Sequence, residues 1–349
     1  MTTDSISPAT LADVARLAGV SKMTASNVIN GKPGMSEATR QRVLGAIQQS
    51  GYVVNPAARV LAGRRMNLIG VMAPMYNSPY VTELMQGASA AAEDAGMTLA
   101  VLTTSGNEAL ERERGALLRT LADGVLLILP TDDEPQVFRG VVPVVMAGGM
   151  GTYGVQSDNR HGGHLAARHL LELGHRRIAH IRGATVTALN REEAAAREQG
   201  FLEVLGEAGV SVPAEYLRDG DFSESGGQAA AEALLRLPEP PTAIFAANDS
   251  TAFGVLRAAE RLGVRVPGDL SLVGFDDVTS SALTTPALTT VRQPLQEMGA
   301  AAVRMLLALT RGEPPAEPHL LFPTTLVVRD STAPPGAATR LPRRARGPT

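Results

Sequence analysis

Between residues 10 and 47, apolar side chains recur at helical spacing in three short blocks. Leu11, Val14, Ala15, Leu17 and Ala18 form the first. Thr10 is placed to cap it, and Asp13 falls in its first turn, where the helix dipole favours an acid. Gly19 ends that helix. Ser21 can cap a second block, Ala25, Val28 and Ile29, and only a tight turn separates the two, which makes a helix-turn-helix. A third helix follows, capped by Ser36, with Val43, Leu44 and Ile47 assigned to its inner face.

From residue 67 the pattern changes to short apolar runs alternating with longer amphipathic stretches. LIGVMA, TLAVLT, DGVLLIL and VVPVVM read as buried strands, with helices beginning near Pro79 and Asn107. The alternation restarts after about residue 158. RRIAHI, PTAIFAAN and DLSLVGF are its strands, and helices are predicted near 160–173, 194–208, 224–236 and 250–262. This order implies parallel sheets with helices on both faces, in two doubly wound subdomains. Ligands in such sheets bind beyond the carboxyl ends of the strands, which directs attention to the loops MYNSPY, AGGMGTYG, AANDS and GFDDV.

Composition narrows the class. A chain of 349 residues with 44% hydrophobic content fills more than one core. It has no cysteine, which excludes disulfides and thiolate metal sites. The N-terminus carries no basic segment followed by an apolar run, no stretch is long and apolar enough to span a bilayer, and a soluble cytoplasmic protein is expected. Charge is uneven: residues 1–65 hold eight basic and three acidic side chains, within a chain whose net charge is -3. A basic head on an acidic body points to an anion-binding head, with nucleic acid the first candidate.

With Ala25, Val28 and Ile29 committed to packing, the second helix leaves Lys22, Met23, Ser26 and Asn27 outward. In a helix-turn-helix the N-terminal part of this helix enters the major groove, and Ser21 could both cap it and donate to a phosphate. Spacing by itself leaves open a three-helix packing module whose polar face is merely solvated.

The segment TLADVARLAGVSKMTASNVINGKPGMSEATRQRVLGAIQQSGYVVNPAARVLAG resembles the DNA-binding headpiece and hinge of the lactose-repressor and galactose-repressor family of bacterial transcription regulators. GHRRIAHI, AREQGF, GDFSESGG, the run from PTAIFAAND to LVGFDD and PALTTVRQP resemble that family's effector domain, so the likeness covers roughly residues 10–330. It implies DNA contacts from Ser21, Lys22, Met23, Thr24, Ser26, Asn27 and Asn30, phosphate contact from Arg59, and a minor-groove wedge from Leu61 on a hinge helix. It also implies effector contacts from Arg197, Asn248 and Asp276 and an apolar pocket wall from Phe222 and Leu295, with Tyr80 in the first-strand loop facing them. Read without the likeness, Asp276 and Asp277 fit a solvated turn and Arg197 a helix-surface ion pair.

The chain departs from the family's common pattern at Asn27, where arginine is frequent, at Ser78, where asparagine is, and at Ala147-Gly148, where Asp-Arg is. The first bears on operator sequence and the others on effector identity. An asparagine can pair both hydrogen bonds with adenine, whereas arginine suits guanine.

The expected organisation is a helix-turn-helix headpiece at 1–55, a hinge helix and linker at 56–66, and an effector-binding domain of periplasmic-binding-protein type at 67–335. Its N-subdomain takes about 67–158 plus 296–320 and its C-subdomain about 159–293 plus 322–335. A tail at 336–349, rich in proline and glycine with four arginines and no heptads, is expected to be disordered.

The implied protein is a homodimeric repressor of pseudopalindromic operator DNA, controlled by a sugar or related metabolite, with no cofactor, no metal and no enzymatic activity. A solute-binding protein without a DNA role is the alternative, and the basic head argues against it. Gly149 to Gly154 satisfies G-x-G-x-x-G, but VQSDN follows it and reads as strand, whereas a dinucleotide site needs a helix N-terminus there. His161 and His164 lack further ligands at metal-binding spacing.

Overall fold

The computed structural model describes residues 9–52, 65–131, 136–149, 151–183 and 188–336. Arg59, Leu61 and nearly all of the expected hinge lie outside these residues, as does the tail beyond Gly336. The chain divides into two compact units, the first ending at Met66 and the second beginning at Asn67.

Among its described residues the first unit holds three helices, α1 (Leu11–Ala18), α2 (Lys22–Ile29) and α3 (Glu37–Ser50). Thr10 caps α1 through a reciprocal box: its hydroxyl accepts from the Asp13 amide and the Asp13 carboxylate accepts from the Thr10 amide at 3.0 Å. Gly19 ends the helix in the left-handed conformation, at φ 65°. Ser21 and Ser36 cap α2 and α3. Val14, Ala15, Ala18, Ala25, Val28, Val43 and Ala46 make the core, with Ile29, Ile47 and Tyr52 packed against it. Leu44, expected inside, is instead 43% exposed, and Leu17 is exposed as well. The inward stripe of α3 runs through Val43, Ala46 and Ile47, and Leu44 lies about 100° further round the helix.

Among its described residues the second unit contains two six-stranded sheets. The first is built from β1 (Leu68–Ala73), β2 (Thr98–Thr103), β3 (Gly124–Ile128), β4 (Val144–Ala147), β5 (Gly154–Ser157) and β11 (His319–Phe322). Its order is β11-β5-β4-β3-β1-β2, and every neighbouring pair is parallel. The second uses β6 (Ile178–Arg182), β7 (Leu217–Asp219), β8 (Ala243–Ala246), β9 (Ser271–Asp276), β10 (Thr289–Arg292) and β12 (Thr325–Val327). It runs β12-β10-β9-β8-β6-β7, parallel except for β12 against β10.

Helices α4 (Pro79–Asp94), α5 (Glu108–Leu121) and α10 (Leu295–Thr310) cover the first sheet, while α6 (Asn159–Glu172), α7 (Ala188–Glu207), α8 (Glu224–Leu235) and α9 (Asp249–Leu262) cover the second. Each sheet has a core on both faces, which is why β3 and β9 are buried along their whole length. The chain passes between the sheets three times, from β5 to α6, from β10 to α10, and from β11 to β12. Consequently the carboxyl ends of both sets of strands border one cleft.

Candidate functional site

In the first unit, the outward face of α2 separates into two kinds of side chain. Ser21, Thr24, Ser26 and Asn30 bond to one another: Ser21 Oγ accepts from the Thr24 amide at 3.0 Å and lies 2.9 Å from Thr24 Oγ1, while Asn30 Nδ2 donates to Ser26 Oγ at 3.1 Å and to the Ser26 carbonyl. These four fix the two ends of the helix. Lys22, Met23 and Asn27 have no side-chain hydrogen bond or ion pair among the described residues, and Met23 is 75% exposed. The helix carries no acid in its first turn. What it presents is a donor cation, an amide with both functions open, and an apolar side chain, a set suited to phosphate and base edges.

In the second unit, a cavity of about 280 Å³ lies where the loops following β1, β2, β3, β7, β8 and β9 meet. Tyr80, Arg197, Phe222, Asn248 and Asp276, five of the six side chains named from the sequence, line it. Leu295 does not. It is 4% exposed and belongs to the apolar core beneath the first sheet, because the first turn of α10 faces α4 and that sheet rather than the cleft.

Arg197 enters from α7 and is held by three groups. Its Nε donates to Asn159 Oδ1 at 2.7 Å, its Nη1 to the Ala247 carbonyl at 2.6 Å, and its guanidinium carbon stands 3.9 Å from the Phe275 ring centroid. Asp276, at the end of β9 with φ 116°, accepts from Gln293 Nε2 at 2.6 Å and lies 4.0 Å from Arg197 Nη1. Burial raises its pKa, opposed by the positive charge of Arg197. Asn248 caps α9 by accepting from the Thr251 amide at 2.9 Å, and its Nδ2 donates to the Phe222 carbonyl at 3.3 Å.

The adjoining Asp249 accepts from Ser281 Oγ and Thr290 Oγ1, both at 2.6 Å, and from the Val278 amide, and so anchors the turn behind Asp276. The wall thus combines acceptors, one fixed cation, and the Tyr80 and Phe222 rings.

Glu193, Ser105 and Leu129 also line the cavity and were not singled out from the sequence. Glu193 had a signal: it precedes Arg197 by four residues on α7 and so shares its face.

The rival motifs resolve structurally. Gly154 opens β5, so no helix N-terminus follows the G-x-G-x-x-G run. His164 Nε2 lies 3.0 Å from Glu203, which also binds Arg160 at 2.7 Å, and no group of metal-ligating side chains occurs among the described residues. No helix among them is long and apolar enough to cross a membrane.

A helix-turn-helix unit in one chain with a two-sheet, cleft-bearing body defines the class of regulators built from a DNA-binding head and a periplasmic-binding-protein-like domain. Residues 10–55 match the model for bacterial regulatory proteins of the lacI family, and residues 167–332 that for a periplasmic binding protein-like domain. The transcriptional regulator DegA of Bacillus subtilis (strain 168) is 34% identical over 337 residues, covering 93% of this chain and 98% of its own. The lac repressor dimer bound to operator and the anti-inducer ONPF superposes with a TM-score of 0.83 at 30% identity, over 94% of this chain and 100% of that one. The complex of the transcriptional regulator CelR with cellobiose gives a TM-score of 0.69 at 34% identity, over 93% and 99%. The chain belongs to the lacI family of bacterial regulatory proteins.

Proposed function

We propose that the protein is a cytoplasmic, homodimeric transcriptional repressor whose affinity for operator DNA is set by a sugar or related metabolite bound in the cleft. The observation that carries this reading is the convergence of Tyr80, Arg197, Phe222, Asn248 and Asp276 on one cavity, in a chain whose separate basic unit presents Lys22, Met23 and Asn27. Each headpiece reads one half-site, and a two-fold protein requires a two-fold operator. The operator and dimer of the lac repressor complex, and the cellobiose of the CelR complex, support the same assignment. Lys22 contacts phosphate, Asn27 reads a base edge, and Arg59 and Leu61 take the hinge roles that the family resemblance gives them. A ligand held by loops of both sheets favours one closure of the cleft over another, and so couples to DNA affinity.

Gel-shift titration against genomic fragments tests the reading. A defined palindromic site bound far more tightly than bulk DNA is expected, with Asn27→Ala relaxing the preference at one position of each half-site by roughly 1–3 kcal/mol. Binding that is salt-sensitive but indifferent to sequence would refute a regulator.

A further inference from the structure

Two side chains in the cavity carry polar atoms that no described residue satisfies. The Tyr80 hydroxyl has no hydrogen-bond partner among the described residues although the residue is only 8% exposed, and neither does the Glu193 carboxylate. Both converge over Gly148. A Cβ built there would stand 3.3 Å from Tyr80 Oη and 3.4 Å from Glu193 Oε1, and 2.6 Å from Leu129 Cδ2, so a larger residue at 148 would collide with this wall. Both face the open cleft rather than the sealed interior, so a ligand that enters must meet their hydrogen-bonding capacity in place of solvent.

The charges around them decide what kind. The described lining residues include three carboxylates, on Glu193, Asp221 and Asp276, against the single guanidinium of Arg197. Two of that guanidinium's nitrogens are already given to Asn159 and Ala247, and its face lies against Phe275. A phosphate or carboxylate entering here finds no uncommitted cation among the described lining residues and would press Glu193 and Asp276, whose ionisation burial already opposes, further towards their neutral forms. Hydroxyl groups meet the opposite situation, with acceptors from Glu193 and Asp276 and apolar contact from Phe222, Leu129 and Val81 for the carbon-bound faces.

We propose that Glu193 is a ligand-contacting specificity residue, which together with Tyr80 binds a hydroxyl of an uncharged, monosaccharide-sized polyol and excludes the phosphorylated or carboxylated form of the same compound. The inference rests on the effector reading of the cleft and deepens it.

Isothermal titration of the full chain with matched pairs tests it: D-ribose and ribose 5-phosphate, D-glucose and glucose 6-phosphate, D-galactose and D-galacturonate. At least one neutral member is expected to bind, with its charged counterpart at least a hundredfold weaker. Glu193→Gln keeps the shape and removes the charge. It should weaken the neutral member at least tenfold and narrow the gap within the pair, with thermal melting showing that the variant folds. A charged member binding as tightly as its neutral partner, a neutral member unaffected by Glu193→Gln, or no binding within any pair would overturn the assignment. Release of operator DNA by the small-molecule fraction of a cell extract, seen alongside any of those failures, would leave the effector reading standing. No release, with specific operator binding intact, would remove both.

Discussion

His180 sits fully buried on β6, its ring stacked on Phe245 at 4.7 Å and tilted against Phe201 at 5.3 Å. Nδ1 donates to the Phe245 carbonyl at 3.0 Å, while Nε2 is buried without a partner, so only the neutral tautomer fits. Burial lowers the pKa from 6.5 to about 4. The unfolded chain therefore binds more protons than the folded one between these values, and the stability His180 supports is complete above pH 6.5 and lost as pH falls towards 4. At pH 5 the loss comes to about 2 kcal/mol. Asp276, whose pKa burial raises, contributes with the opposite sign over the acid range, so the total slope mixes both. The informative quantity is the difference between the parent and His180→Phe in urea unfolding at pH 7.5 and pH 5. The parent should lose stability relative to the variant on acidification, and parallel pH profiles would show that His180 is not held neutral.

Helices α6 and α7 meet backbone to backbone. A Cβ on Gly163 would stand 2.2 Å from the Arg197 carbonyl oxygen, and one on Gly200 2.0 Å from that of Arg160. The contact point is Arg197 itself, so helix spacing and pocket geometry are one constraint. Gly163→Ala should displace α7, cost about 1–3 kcal/mol, and weaken effector binding through the shift of Arg197. Gly206→Ala on the same helix meets nothing within 4 Å and should be neutral or slightly stabilising. Calorimetric melting with ligand titration separates the two, and equal behaviour of both variants would sink the idea.

Elements of this length were legible in the sequence wherever the pattern was local. Capped helices such as α1 and α3, and apolar runs such as β1, β3, β6 and β9, read correctly. The start of α7 at Ala188 rather than near 194 was hidden by the polar stretch NREE. Strands of three or four residues, such as β7, β11 and β12, are too short to show a period, and β11 exists only through pairing with β5 far earlier in the chain. The pocket followed the same rule. Asn248 and Asp276, at or just beyond strand ends, were named, whereas Leu129, next after β3, was not, and Leu295 fell to the core because a helix's first apolar residue can face either cleft or sheet.

For the molecule as a whole, the three passages between the sheets are tied to the pocket by named bonds. Arg197 holds Asn159, which follows β5. Asp276 holds Gln293, which follows β10, through its carboxylate at 2.6 Å and its carbonyl at 3.2 Å. The third passage is joined to the first, with the Asp158 amide donating to the Phe322 carbonyl at 2.9 Å and Thr324 Oγ1 to the Asp158 carbonyl at 3.1 Å. A ligand that draws on Arg197 and Asp276 thus acts on the groups that fix the crossing segments, and cleft closure is expected to reach the rest of the unit through them. Coupling of this kind is reciprocal: whatever factor the effector applies to operator affinity, operator must apply to effector affinity, within a typical range of about 5- to 150-fold. Gln293→Ala removes the donor from Asp276 without touching the headpiece. Anisotropy titrations of labelled operator with and without effector, and of effector with and without operator, should show the two coupling factors equal in the parent and reduced together in the variant, with operator affinity in the absence of effector changed far less. Coupling that stays at the parent value in Gln293→Ala would place the link elsewhere than in the crossing segments.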